Sequence, residues 1–290
     1  MWIWLTLSYG LIKGAREIVK KKSLGKSTVI EVLFFYTLFG FLLLLPDAVI
    51  GIRKGEELLS LTGPEIGFIA LKSFIIFLAW MASFHAIKKI PLSLYGLLDL
   101  SRVLFATLLG VLIIKETLFP LQVVGLLLVA TGLIMLKFRK SSEEKEIKLR
   151  YILFAFASCL LNALSGTMDK LLMTNISSRK VQLWYMFFLM LLYLLYILVR
   201  RIKLNIKAAL KNYWIWILSL LFIVADRALF LANESPDSRV TVMTLVKQSA
   251  CIVTILAGKF IFKEKGIAYK LLCAAIIITG IVLGVLAKQL

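Results

Sequence analysis

Asp99 and Arg102 stand three residues apart inside an apolar stretch, Asp226 and Arg227 are adjacent inside another, and Lys247 sits alone in a third. An Asp, Lys or Arg at the centre of a membrane-spanning helix costs roughly 2.5–3.5 kcal/mol on insertion scales, so each demands a partner, a wet cavity or a route to the interface. The spacing of Asp99 and Arg102 puts both on one helical face, where they can pair directly. Such a pair serves either as part of a binding site or as an internal ion pair that orients a bundle. Asp226 and Arg227 lie about 100° apart around a helix; one is expected to face a cavity and the other a neighbouring helix. Basic members of this set outnumber acidic ones, which favours a ligand of anionic or zwitterionic character.

Trp80, Tyr95 and Asn162, with Tyr9 and Lys13, could add polar or aromatic contacts, or serve equally as helix–helix and interfacial residues. Lys72 reads as shallower, and Asp169, Lys170 and Lys259 lie within about a turn of a span end, where long side chains reach the interface. His85, the single histidine, is expected to be a hydrogen-bonded interfacial residue rather than a proton-coupling group. Cys159, Cys251 and Cys273 lie in apolar stretches without a Cys-x-x-Cys pairing and read as small buried residues. No metal site and no cofactor are expected.

The elements that must position these groups follow from composition. Of 290 residues, 61% are hydrophobic and 18% charged, and the mean hydropathy is +0.93. A soluble domain is nearer half apolar and a quarter charged, so an ordinary soluble protein is excluded. Apolar runs of spanning length recur from end to end and predict ten helices, over 2–20, 28–50, 65–87, 91–114, 118–137, 151–173, 181–200, 212–233, 238–262 and 267–287. The net charge of +19 would suggest nucleic acid in a soluble protein. Here the basic residues cluster at span ends, as in Lys20 to Lys22, Lys88-Lys89 and Arg200-Arg201, where they meet headgroups; no nucleic-acid partner is expected. No basic segment or cleavage site marks the first apolar run for removal, so the first helix is expected to persist.

Aligning Lys115-Glu116 with Lys263-Glu264 also superposes Thr131-Gly132 on Thr279-Gly280, and earlier Gly14-x-x-Glu17 matches Gly166-x-x-Asp169. The order and length of the spans agree, predicting two five-helix units, 1–137 and 151–290, joined by a polar linker over 138–150. A duplicated unit of odd helix number has its second copy inverted in the bilayer, and inverted repeats place a substrate site at their midplane interface. The same alignment sets Asp99 opposite Lys247, which predicts that the two neutralise one another across the cavity until substrate competes.

These paired Lys-Glu motifs, with Gly125, Gly132 and Gly280 and the short-looped spans, resemble the EamA type of the drug/metabolite transporter superfamily. The resemblance implies an all-α integral membrane bundle of two inverted five-helix repeats around a central cavity, alternating access without ATP, and no enzymatic activity. It leaves the substrate open. The stretch Leu245-Val-Lys247-Gln248-Ser249 loosely resembles the ninth helix of phosphate-binding branches, with Gln248 in place of a frequent arginine.

The resulting expectation is a multi-pass secondary transporter for a small polar metabolite, in the plasma membrane of a prokaryote and monomeric or homodimeric. A lipid or lipid-carrier flippase is the neighbouring alternative. A membrane enzyme would need convergent acid/base groups or metal carboxylates near a helix end, and none are recognised: Glu143, Glu144 and Glu146 fall in the linker. Loop charge gives two orientations. Most loop Lys and Arg lie on the face opposite the termini, placing both termini outside, whereas the resemblance places them in the cytoplasm.

Overall fold

The structure is a computed structural model and describes residues 2–113, 119–138, 147–173, 176–234 and 246–286. Among these residues all regular structure is helical. Helix α1 spans Trp2–Ser23, α2 Val29–Arg53, α3 Gly63–Lys89, α4 Leu92–Asp99, α5 Arg102–Ile113 and α6 Pro120–Phe138. Then come α7 Leu149–Leu172, α8 Ser178–Val199, the short α9 Ile206–Lys211, α10 Tyr213–Glu234, α11 Ser249–Phe260 and α12 Ile267–Leu286.

Six segments are long and apolar enough to cross a membrane: Val29–Arg53, Gly63–Lys89, Leu92–Leu109, Leu149–Asp169, Ser178–Val199 and Tyr213–Ala232. Pro120–Met135, Ser249–Phe260 and Ile267–Leu283 are shorter apolar helices. The protein is a multi-pass integral membrane protein. The fourth predicted span is interrupted at Leu100-Ser101, between α4 and α5. Helix α9 adds to the predicted set. The Lys115-Glu116 pair, most of the polar linker and the first residues of the ninth span lie outside the described residues.

Local chemistry sets the helix ends. Thr28 and Glu31 form a reciprocal capping box at the start of α2. Pro91 precedes α4, and the carboxylate of Glu264 receives the free N–H groups there: Leu92 N donates to Oε1 at 2.6 Å and Ser93 N to Oε2 at 3.0 Å, and the Ser93 hydroxyl also binds it. Half of the second Lys-Glu motif is therefore a cap delivered from the α11–α12 turn to a helix in the other half of the chain. Glu264→Gln removes the charge that complements the helix dipole and one of the two acceptors; a loss of about 1–2 kcal/mol is expected, read as a lower unfolding temperature in detergent.

Without water to drive helices together, small residues allow close packing. A Cβ at Gly280 would meet the Gly125 carbonyl at 2.5 Å, so α12 lies directly on the α6 backbone. The glycines of the sequence motif thus form a helix–helix seam. Gly14 likewise admits α11: a Cβ there would lie 2.5 Å from Val253 Cβ. Helix α1 is absent from the apolar set because of Lys13, Arg16, Glu17 and Lys20. It packs against α10, α11, α3 and α4, with Lys13, Glu17 and Lys20 buried by protein.

Candidate functional site

The break between α4 and α5 places Asp99 at one helix end and Arg102 at the start of the next. The Asp99 carboxylate bridges two cations: Lys13 Nζ donates to Oδ2 at 2.6 Å and Arg102 Nη2 to Oδ1 at 2.7 Å. Farther along α1, Lys20 pairs with Glu17 at 2.6 Å and donates to Ser83 Oγ at 3.2 Å, and Ser83 shares a 2.6 Å hydrogen bond with Tyr95. The Lys20 ammonium lies 4.7 Å from the centre of the Phe84 ring, a cation–π contact that offsets part of its desolvation. Lys13, Glu17 and Lys20 follow at i, i+4 and i+7, one face of α1, and tie that face to α3 and α4.

The opposite wall carries a second set. Lys72 Nζ lies 2.9 Å from Asp169 Oδ1, bonds Ser165 Oγ at 3.3 Å and sits 4.5 Å from the Tyr185 ring centre. Tyr185 donates to Asp226 Oδ2 at 2.9 Å. Arg16 approaches Asp226 Oδ1 at only 3.9 Å and lies 5.2 Å over the Phe222 ring. Tyr36, Trp80 and Phe222 pack with ring centres 5.0–5.4 Å apart and form an aromatic floor.

Between these walls is a cavity of about 390 Å³. Its described lining carries six basic side chains, Lys13, Arg16, Lys20, Lys72, Arg102 and Lys247, against three acidic ones, Glu17, Asp169 and Asp226. The Asp99 carboxylate is already shared by Lys13 and Arg102. Lys247 has no ion pair within 4.0 Å among the described residues, and its ammonium lies 5.9 Å from the centre of the Tyr9 ring. Arg16 Nη1 and Arg102 Nε are buried without a hydrogen-bond partner. The cavity therefore holds surplus positive charge and unused donors.

Arg102, Asp226, Lys247, Tyr95, Asn162 and Trp80 all line this cavity, as does Tyr9. Three expectations need correction. Asp99 does not face Lys247: Lys13 and Arg102 occupy its two oxygens. Arg227, expected with Asp226 among the site residues, does not line the cavity; of the two, Asp226 is the one that faces it. Lys72 and Asp169, expected as a shallow lysine and a snorkelling carboxylate, pair inside the cavity, with the Lys72 side chain 2% exposed. Arg16, Glu17 and Lys20 are cavity residues that the sequence disguises, because they precede the Lys21-Lys22 interfacial cluster; the i, i+4, i+7 spacing of Lys13, Glu17 and Lys20 is the available signal. The Gly14-x-x-Glu17 and Gly166-x-x-Asp169 motifs each place a carboxylate in the cavity lining.

His85 Nδ1 is hydrogen-bonded to the Met81 carbonyl at 2.7 Å and lies outside the cavity lining. Cys159, Cys251 and Cys273 are buried and free.

The described residues form an all-α membrane bundle around a charged, partly aromatic cavity. Residues 1–138 are similar to the EamA-like transporter family, whose model matches that part of the chain. Members of that family are membrane transporters rather than enzymes. A solved structure described only as "Crystal structure of protein" shares the fold with a TM-score of 0.69 at 14% sequence identity, over 99% of this chain and 98% of that one. No curated protein matches the sequence.

Proposed function

We propose that the protein is a secondary transporter that moves a small anionic or zwitterionic polar metabolite by alternating access, in the plasma membrane of a prokaryote. The carrying observation is the excess of cations in the cavity, together with Lys247, which has no ion pair within 4.0 Å among the described residues, and Arg16 and Arg102, each with a buried nitrogen that makes no hydrogen bond. In a site shielded from water, an anion gains far more from such donors than it would in solution.

Two further features support the reading. Helix partners recur in a two-fold pattern: α1 packs on α10 and α11 as α7 packs on α3 and the α4–α5 pair, α2 meets α10 as α8 meets α3, and α6 pairs with α12. That is the pattern two inverted five-helix units would make, with α4 and α5 counted as one crossing and α9 lying outside the count. The cavity lining extends along α1 to Tyr9 and along α7 to Asp169. Toward the other end of α1 lie the Glu17–Lys20–Ser83–Tyr95 network and Lys21, which donates to the Ile90 carbonyl at 2.6 Å.

A thermal-shift screen of charged metabolites on detergent-purified protein tests the substrate class. A ligand at 100 times its dissociation constant stabilises by about 2.7 kcal/mol. Anionic or zwitterionic compounds are expected to raise the unfolding temperature; stabilisation by cations alone would overturn the assignment.

A further inference from the structure

Helix α9 has only six residues, Ile206–Lys211, yet it is pinned at both ends. At its start Asn205 N donates to Glu31 Oε1 at 2.9 Å, and Asn205 Oδ1 accepts from Ala208 N at 3.1 Å. At its end Asn212 Nδ2 donates to the Ser23 carbonyl and to Ser27 Oγ, each at 3.0 Å. Ala209 turns inward and is 1% exposed. The helix is thus fixed against the α1–α2 turn, and its outer face is set by that docking.

The outer face has two characters. Ile206 and Leu210, four apart, are 55% and 47% exposed, and Trp216, whose indole N–H binds the Leu210 carbonyl, is 44% exposed. Lys207 and Lys211, also four apart, are exposed beside them. On the α1–α2 side, Lys22 lies 4.5 Å from the Trp214 ring centre and Lys26 5.4 Å from that of Tyr213. None of these four lysines pairs with a carboxylate within 4.0 Å among the described residues. The nearby carboxylate of Glu31 already accepts backbone N–H groups from Thr28 and Asn205.

We propose that the junction of α9 with the α1–α2 turn is a binding site for an anionic phospholipid, with the phosphate held by Lys22, Lys26, Lys207 and Lys211. The acyl chains then lie along Ile206, Leu210 and Trp216. The pairing of unneutralised lysines with adjoining exposed apolar and aromatic surface selects a lipid over a soluble anion, which would gain nothing from the apolar half. The aromatic faces beneath Lys22 and Lys26 hold the ammonium groups in place before a headgroup arrives.

The test uses the full chain in bilayers of phosphatidylcholine doped with phosphatidylglycerol, either lipid carrying brominated acyl chains, with tryptophan quenching as the readout. Brominated phosphatidylglycerol is expected to quench more than brominated phosphatidylcholine at equal mole fraction. Replacing all four lysines by Gln should abolish that preference, since the headgroup attraction is carried by the basic residues near the membrane surface, while replacement by Arg preserves it. Equal quenching by the two lipids, or a preference unchanged in the Gln variant, overturns the proposal. So does abolition of the preference by millimolar glycerol phosphate, which would identify a soluble anion as the ligand. Unfolding temperatures of both variants establish that the exposed substitutions leave the fold intact.

Discussion

Asp99→Asn is expected to destabilise the protein by about 3–5 kcal/mol, the cost of removing one partner from a buried ion pair and leaving charge uncompensated. Asp99 is 12% exposed, and its two oxygens hold Lys13, itself 6% exposed, and Arg102. The amide keeps the shape but turns a carboxylate facing two cations into a neutral group whose N–H₂ points at a donor. Lys13 and Arg102 would then repel one another across the gap. Thermal unfolding in detergent measures the loss. Adding Lys13→Met to Asp99→Asn removes one orphaned cation and is expected to recover a large part of it; a double variant no more stable than Asp99→Asn would contradict this account of the bridge.

Lys247→Met behaves in the opposite way. Its ammonium has no ion pair within 4.0 Å to lose among the described residues, and Lys13 and Arg102 are fellow cations of the same cavity, so stability is expected to change by less than about 1 kcal/mol. Affinity for an anionic ligand is expected to fall about 10- to 100-fold, because a hydrogen bond to a charged group contributes about 1.5–3 kcal/mol and each 1.4 kcal/mol is tenfold in affinity. The two variants separate charges that hold the bundle from a charge that awaits a ligand. Ligand titration followed by unfolding temperature reads both quantities in one experiment. An Asp99→Asn variant that folds normally and a Lys247→Met variant that binds normally would reverse the assignment.

Much of the architecture is legible in the sequence because hydrocarbon leaves few solutions: apolar runs have to be helices, and the boundaries of α2, α8 and α10 fall within a few residues of the polarity changes that mark them. The interruption at Leu100-Ser101 is not legible. Neither residue is a helix breaker, and the charges flanking it are spaced as a pair on one continuous helix; the Asp99–Arg102 contact survives across the break. Arg102, Asp226 and Lys247 stand out as cavity residues because charge deep in an apolar span is costly. Their partners do not, since the partner of a buried charge is set by which helices meet, and sequence position alone does not tell that Lys13 reaches Asp99 across 86 residues. Depth misleads for Lys72 and Asp169: distance from a span end measures access to the interface only for a side chain that faces lipid. Both face inward.

The central claim is that the cationic cavity carries anions across a bilayer. Its most direct measurement is flux of labelled candidate metabolites into proteoliposomes, with the external and internal solutes analysed chemically and Lys247→Met run in parallel. The account predicts saturable uptake of an anionic or zwitterionic solute that emerges chemically unchanged, strongly reduced in the variant. Uptake confined to cations, conversion of the solute by the protein, or equal flux through the variant would contradict it.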